Sequence, residues 1–88
     1  MENTVKQNVI NQIRSIWDAG EKCWDRYTIV LKQKSGIYRD CLGLSNDPTH
    51  PQGFSQFSVC KEGRHLGKKV NFNDLSENIQ KHIIDRLT

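Results

Sequence analysis

The sequence predicts an α+β protein in which an N-terminal and a C-terminal helix lie on one face of an antiparallel sheet of three or four strands. Apolar residues recur at spacings of three and four near both ends of the chain, which is typical of helices that bury one side. Segments rich in β-branched and aromatic residues lie between them and are separated by turn-forming residues. Since 88 residues divided in two would leave pieces too small to bury a core, we expect one domain over residues 1–88.

The first helix is predicted over residues 4–17. Val5, Val9 and Ile13 repeat at steps of four, and polar side chains occupy the opposite face. Gly20 follows shortly afterwards, and glycine readily takes the left-handed conformation that ends many helices. We therefore expect the helix to stop just before Gly20.

Two central segments predict a β-hairpin, and two later ones predict weaker strands. Residues 26–32 and 37–45 alternate apolar and polar side chains on either side of a short turn. Residues 53–60 are a weaker candidate, in which Phe57 is expected to pack inward. Residues 68–72 would add a short last strand, which gives the element order α-β-β-β-(β)-α.

The second helix is predicted over residues 75–87. Asp74 followed by Glu77 fits a capping box, in which each side chain accepts a hydrogen bond from a backbone N–H near the other. Ile79 and Ile83 belong to an apolar stripe at steps of four. This stripe predicts that one side of the helix packs on the sheet.

The composition is that of an ordinary globular protein with no membrane partner. Hydrophobic residues make up 35% and charged residues 26% of the chain, and no apolar run approaches the roughly 18–20 residues of a membrane span. The first residues lack the basic and then apolar pattern of a signal peptide, so we expect a cytoplasmic location. The 3 cysteines are widely spaced, which favours buried thiols over a disulfide framework.

Positive charge is concentrated in the middle of the chain. The net charge is +3, and residues 61–69 hold four basic side chains against one acidic side chain. A second basic stretch runs from Arg26 to Arg39 without an intervening acid. Since the first stretch also contains two glycines, its backbone amides and basic side chains are candidates for an anion-binding surface. The predicted binding residues are Arg64, His65, Lys68 and Lys69, supported by Lys32, Lys34 and Arg39.

Two more specific kinds of site are weaker interpretations of this region. Gly63 and Gly67 are separated by three residues rather than the four of a P-loop, and no hydroxyl residue follows the lysine. A zinc site has candidate ligands but no closely spaced cysteine pair, so no metal or cofactor is predicted. The candidate ligands are Cys41, His50, Cys60 and His65.

Catalysis by a cysteine nucleophile is a further alternative. Asp47, His50 or His65 would serve Cys41 or Cys60 as the base and the orienting group. Nothing in their spacing fixes such a geometry, and a domain of this size has little room to exclude water from a pocket. We therefore expect a binding protein rather than an enzyme.

Aromatic residues and the last histidine have ordinary structural explanations beside functional ones. Phe54 and Phe57 would be able to stack on the bases of a single strand, although core packing is the simpler interpretation. His82 lies next to the apolar stripe of the second helix and is expected to be partly buried and hydrogen-bonded. An exposed apolar patch around Trp24 would point to a protein partner or a homodimer.

Three stretches resemble a group of small proteins from bacteria and their phages. The stretches are LGLSNDPTHPQGFSQF, GRHLGKKVNFNDL and SENIQKHIIDRL, within residues 42–87, about half of the chain. The pattern of the group is HPQGFSQ, then GxHLGK, then FxDLPE, and Ser76 stands here in place of the proline. No activity is assigned to that group. The resemblance therefore implies a phage or mobile-element setting and carries no catalytic residues.

The basic stretches and the implied setting together predict a small binding module for an anionic partner, with nucleic acid as the leading candidate. The alternative is an inhibitor or accessory protein that binds an acidic surface of a host protein, such as a defence complex. An affinity that falls steeply with salt would favour nucleic acid, since phosphate contacts release counterions. A defined protein retained from nuclease-treated lysate would favour the alternative.

Overall fold

A computed structural model describes the backbone of residues 2–88 and the burial of residues 4–88. The elements follow the order α1 (Glu2–Gln12), β1 (Ile13–Asp18), β2 (Tyr27–Ser35), β3 (Tyr38–Leu44), β4 (Ser55–Cys60), β5 (Lys68–Val70) and α2 (Glu77–Leu87). Two single-turn 3-10 helices lie at Arg64–Leu66 and Phe72–Asp74. The α+β class and the terminal position of both helices are as predicted. None of the helices in residues 2–88 has the length and apolar character needed to cross a membrane.

The sheet has five strands, so the expectation of three or four was wrong. Its order is β4-β3-β2-β1-β5, and each neighbouring pair is antiparallel. The unexpected strand is β1, which lies between β2 and β5 and pairs with both. It is built from residues that were assigned to the end of the first helix.

Helix α1 ends at Gln12, five residues before the predicted end at residue 17. Ile16 and Trp17, within the predicted helix, are buried, but on opposite faces of a strand rather than along one helical stripe. The short segment from Ile13 onwards gains hydrogen-bonded neighbours on both sides in the sheet, and this outweighs its local helical pattern. Gly20 has the positive φ expected of it, 104°, but it serves the turn after β1 rather than a helix end.

Side chains of both helices enter one core cluster with side chains from one face of the sheet. Val9 of α1 and Ile83 of α2 are 1% and 0% exposed, and Gln12 Nε2 donates a hydrogen bond to the Leu87 carbonyl at 3.1 Å. Fully burying an aliphatic side chain of this size stabilises a fold by about 1.5–3 kcal/mol. The cluster consists of Val9, Ile16, Tyr27, Ile29, Leu42, Leu44, Phe72, Leu75, Ile79 and Ile83.

Helix α2 is capped by Ser76, not by Asp74 as predicted. The Ser76 hydroxyl accepts a hydrogen bond from the Ile79 N–H at 3.3 Å, and the helix begins at Glu77. Asp74 instead belongs to the preceding 3-10 turn, where its carboxylate accepts from the Asn71 N–H at 3.3 Å. The position that differs from the proline of the bacterial and phage pattern is therefore an effective cap.

The chain crosses the second face of the sheet between β4 and β5. These two strands lie at opposite edges and run in the same direction, so residues 61–67, here called the crossing segment, pass over the strands between them. Trp17, Val30 and Cys41 are buried on this face, away from the helices. Their burial follows from the crossing segment lying over them.

Strand β4 leaves Phe57 and Val59 exposed, each by 52%, so the prediction that Phe57 packs inward was wrong. Phe57 does point to the helix-bearing side of the sheet, opposite Leu42. The strand lies at the edge, where the helices do not cover it fully. Only the Arg86 guanidinium of α2 lies over the Phe57 ring, 4.9 Å from its centre.

Candidate functional site

The hairpin formed by β2 and β3 places three of the predicted cations together. Arg39 lies opposite Lys34 of β2, and it points to the same face as Cys41, away from the helices. Its Nη1 donates a hydrogen bond to the backbone carbonyl of Lys32 at 2.9 Å. Lys32 and Lys34 are exposed.

The two lysines of β5 point to opposite sides of the sheet. Lys69 lies opposite Trp17 and shares the face with the hairpin cations. Lys68 lies opposite Asp18 on the other side. The pKa of Asp18 is lowered chiefly by its hydrogen bond from Arg26, with a smaller contribution from Lys68. Lys68 is therefore separated from the other predicted site residues.

Arg64 and His65 are exposed in the crossing segment, between Glu62 and Gly67. Strand register places Lys32, Lys34, Arg39 and Lys69 on one face of the sheet. The crossing segment, which carries Arg64 and His65, passes over the same face and is held to it at Ser15. This surface, here called the basic face, consists of Lys32, Lys34, Arg39, Arg64, His65 and Lys69.

Glu62 fastens the crossing segment to β1. The Ser15 hydroxyl and Arg14 Nε both donate to its carboxylate, the latter at 2.8 Å, and Trp17 Nε1 donates to the Ser15 oxygen at 2.9 Å. The hydrogen bonds from Ser15 and then Arg14 lower the pKa of Glu62. Arg14 and Ser15 were not predicted to contribute, because nothing in their local pattern indicates a partner so distant along the chain.

The cations of the basic face are not neutralised by the protein's own carboxylates. Among the side chains that the structure describes, the ion pairs join Arg14 to Glu62 and Arg26 to Asp18. Glu62, in the crossing segment, is thus already matched by Arg14. Asp25 also borders the face, because its Oδ1 lies 3.8 Å from where a Cβ at Gly43 would be, and Gly43 shares the face of Cys41. The face therefore keeps a net positive charge that an external anion would meet.

Two backbone amides of the crossing segment are occupied within the protein. The Leu66 and Gly67 N–H groups donate to the Gly63 and Arg64 carbonyls, both at 3.1 Å, and close a 3-10 turn. Gly67 has a φ of 119° and lies so close to β1 that a Cβ there would approach the Asp18 carbonyl oxygen to 2.4 Å. A contribution of the remaining amides to an anion site stays a prediction.

Residues 46–54, which contain both prolines, fold on themselves at another end of the molecule. Asp47 accepts hydrogen bonds from the Thr49 N–H at 3.1 Å and hydroxyl at 2.7 Å, and the Gly53 N–H donates to the His50 carbonyl at 2.7 Å. The His50 ring also meets Trp24 edge-on, with centroids 6.0 Å apart. This loop is structural and does not contribute to the basic face.

Acidic side chains gather in a separate cleft of about 780 Å³ beside the start of α2. Asp18 accepts two hydrogen bonds from Arg26, from Nε at 2.8 Å and Nη2 at 3.0 Å, and Arg26 also donates to Asn46 at 3.0 Å. The only cation lining this cleft among the described residues is thus already paired. Its other acidic lining residues are Glu21, Asp47 and Asp74. The molecule therefore separates its charges between the cleft and the basic face.

The cysteine and histidine candidates do not come together as one group of ligands among the residues that the structure describes. Among the described residues, no group of three or more metal-ligating side chains comes together. Cys41 and Cys60 are neighbours on adjacent strands, whereas His50 and His65 lie in different loops. Burial, together with a hydrogen bond to Cys41, raises the pKa of the Cys60 thiol to about 12. A thiol with such a pKa stays protonated at neutral pH and is a poor nucleophile.

Comparison of the chain with protein-family models, curated proteins and solved structures finds no match. The resemblance to small bacterial and phage proteins stays a prediction. Two of the residues that carry it, Gly53 and Gly67, stand where a Cβ would collide with backbone atoms. Their place in the pattern is thus explained by packing.

Proposed function

We propose that the protein is a binding module, without catalytic activity, that contacts the phosphates of a nucleic acid through its basic face in the cytoplasm. The observation that supports the proposal is the grouping of Lys32, Lys34, Arg39 and Lys69 on one face of the sheet, under the segment that carries Arg64 and His65, with Glu62 paired to Arg14. Lysine and arginine side chains that contact phosphates release condensed counterions, which gives both affinity and steep salt dependence.

The dimensions of the basic face suit an extended polyanion better than a single phosphate. Lys69 pairs with Trp17, which pairs with Thr28 of β2, so Lys69 lies at the level of Thr28. Thr28 pairs with Gly43 and Lys34 with Arg39, only four residues along β3, because β2 is irregular between Val30 and Lys34. At 3.3 Å per residue the two lysines are roughly 13 Å apart along the strand direction. Duplex DNA presents one charge per about 1.7 Å of its axis, so the face would meet several phosphates at once.

The positions of the aromatic side chains favour a duplex over a single strand. Proteins that hold single strands stack bases on exposed aromatic rings beside their basic groove. Phe57 and the exposed Tyr38 point to the opposite side of the sheet, and the exposed Trp24 lies against His50 of another loop. Trp17 is 8% exposed beneath the crossing segment. Contacts to the backbone of a duplex would position the protein without reading its sequence.

Fluorescence anisotropy with a mixed-sequence duplex of about 20 base pairs tests the proposal. Some four to five phosphate contacts would give a slope of log K against log salt of about −4 between roughly 50 and 200 mM NaCl. Replacing Lys34 and Lys69 together by glutamine should weaken binding about 10- to 100-fold and reduce the slope by about 2. The control is Lys81→Gln, an exposed lysine of α2 on the other side of the sheet, which should leave affinity within about twofold.

Absence of duplex binding at the lowest salt would contradict the proposal. An equal loss of affinity in the control and in the double variant would also contradict it, because binding would then depend on net charge rather than on this face. If the duplex does not bind but an acidic polypeptide does, with the same dependence on Lys34 and Lys69, the protein-directed alternative replaces it.

A further inference from the structure

Strand β4 is an edge strand that is free to pair with a further strand, whereas the other edge strand, β5, is protected against such pairing. β5 is three residues long and two of them are lysines, which is a common way of preventing a strand from pairing with another molecule. β4 is six residues long, with the sequence SQFSVC, and contains neither a charged residue nor a proline. Within residues 2–88 no strand lies beyond it. Its outer backbone N–H and C=O groups are thus available for pairing.

The apolar side chains of β4 extend this open edge into a shallow groove. Phe57 and Val59 point to the same side and are each 52% exposed. Leu31 of β2 and Leu87 of α2 line the groove beside them. An edge strand with an exposed aromatic and a β-branched residue at alternate positions is suited to cross-strand packing with a similar strand.

We propose that β4 pairs in antiparallel fashion with β4 of a second copy of this chain. Placing the two Ser58 residues on the two-fold axis puts Phe57 of each copy opposite Val59 of the other. Both apolar pairs then lie on the helix-bearing side, and the small serine side chains meet on the other side. The same strand is complementary to itself in this register, as an isologous interface requires.

The charges on the two sides of the proposed seam are opposite in sign. The Arg86 guanidinium lies over Phe57 and has no ion-pair partner among the described side chains. Asp40 lies beside Val59 on β3, with one carboxylate oxygen accepting from the Ser35 hydroxyl at 2.5 Å, and it lines the same groove as Arg86. In the proposed register, the row of Phe57 continues into Val59 and Asp40 of the other copy, so that Asp40 lies two strand spacings, about 10 Å, from Phe57. An ion pair at this separation is weaker than a direct contact, and the two-fold axis forms it twice.

The dimer would join two five-stranded sheets into one continuous sheet of ten strands. A two-fold axis perpendicular to the sheet keeps both pairs of helices on one side and both basic faces on the other. The self-association itself does not depend on nucleic acid, so it is measured on the protein alone. Failure of the nucleic-acid proposal would leave this inference standing, and the reverse also holds.

Sedimentation equilibrium of the full chain between about 1 and 500 μM tests the inference, because this range covers weak to moderately tight dimers. We expect a reversible monomer–dimer equilibrium for the wild-type chain. Val59→Lys, which places a charge on the edge, should raise the dissociation constant at least 10-fold. The control Ile37→Lys, at a hairpin-tip position that is 79% exposed, should leave it unchanged within about twofold. Circular dichroism confirms that each variant is folded.

A charge exchange tests the register. Asp40→Arg and Arg86→Asp should each weaken the dimer several-fold, and the double variant should recover it, because the ion pair is restored with opposite polarity. Hydrogen exchange of the unmodified chain gives an independent measurement, since amides of β4 should become protected as concentration rises. A chain that stays monomeric throughout, a dimer that Val59→Lys leaves intact, or a double variant without recovery would each overturn the proposal.

Discussion

Gly53 is the single residue on which the fold of the proline-containing loop depends most directly. A Cβ at this position would lie 2.2 Å from the Asp47 carbonyl oxygen and 3.0 Å from that of His50. Both atoms belong to backbone held by the turn, so the clash requires the loop to shift. Gly53→Ala should therefore lower the free energy of unfolding by about 2–3 kcal/mol, measured by urea denaturation.

Gly63 provides the matched control for this substitution. A Cβ there would meet His65 Nδ1 at 3.1 Å, and this side chain is exposed and free to rotate away. Gly63→Ala should cost less than about 1 kcal/mol. Equal losses for the two variants would show that backbone contact at Gly53 is not the cause.

His82 carries a buried nitrogen without a hydrogen-bond partner, contrary to the expectation of a hydrogen-bonded role. The residue is half-buried in α2, and its Nε2 has no partner among the described residues. Since an unsatisfied buried polar atom costs about 1–3 kcal/mol, His82→Leu should raise the free energy of unfolding by about 1 kcal/mol. Thermal and urea denaturation at neutral pH measure the change.

Gln80 lies in the same helix, and replacing it by leucine is expected to change the free energy of unfolding in the opposite direction. Its Nε2 donates to the Leu75 carbonyl at 2.8 Å and so holds the segment that precedes the helix. Gln80→Leu should therefore lower stability by about 1 kcal/mol. If His82→Leu is destabilised to the same extent, the Nε2 atom has a partner that these contacts do not include.

At the scale of secondary-structure elements, the hairpin was predictable and the first strand was not. β2 and β3 are adjacent in sequence and pair with each other. The alternation of apolar and polar residues in each strand and the short turn between them are therefore enough to predict the hairpin. β1 pairs with β2 across an irregular turn and with the distant β5. Its apolar residues fit a helical stripe equally well, and only the distant pairing decides between the two.

The same distinction between local and distant contacts explains which residues of the candidate site were predictable. Lys32, Lys34 and Arg39 were predictable as a group because one local hairpin holds them. The opposite orientation of Lys68 and Lys69 follows once β5 is a strand, but the face that each adopts depends on β1. The ion pair of Arg14 with Glu62 joins elements far apart in the chain and has no sequence signal of its own.

At the scale of the whole molecule, several depressed carboxyl pKa values predict a loss of stability in acid. Hydrogen bonds from Arg26 lower the pKa of Asp18, and those from Ser15 and Arg14 lower that of Glu62. Unfolded Asp and Glu titrate near 3.9 and 4.3. The stabilisation from these groups is therefore present above about pH 5 and is lost as the pH falls through their lower folded-state values.

The raised pKa of Cys60 predicts that the protein loses stability at alkaline pH. Its folded pKa is raised to about 12, mainly by burial, whereas an unfolded cysteine titrates near 8.5. The contribution of the protonated thiol to the free energy of unfolding is thus complete below about pH 8.5 and is lost as the pH rises toward 12. The free energy of unfolding falls there by at most about 1.4 kcal/mol per pH unit.

Urea denaturation between about pH 3 and 10 measures both sides of this profile, and Glu62→Gln and Cys60→Ser are the matched variants. Glu62→Gln should flatten the acid side only, and Cys60→Ser the alkaline side only. An acid slope that is unchanged in Glu62→Gln would contradict the role assigned to its carboxylate in holding the crossing segment.

The strand order also has a consequence for the nascent chain during translation. β1 emerges from the ribosome early and finds β2 soon afterwards, but its second neighbour, β5, emerges about fifty residues later. Until then β1 presents an unprotected side to other nascent chains, and such sides are where misassembly begins. A pause in elongation before β5 has left the ribosome would prolong this vulnerable interval, and a later pause would not.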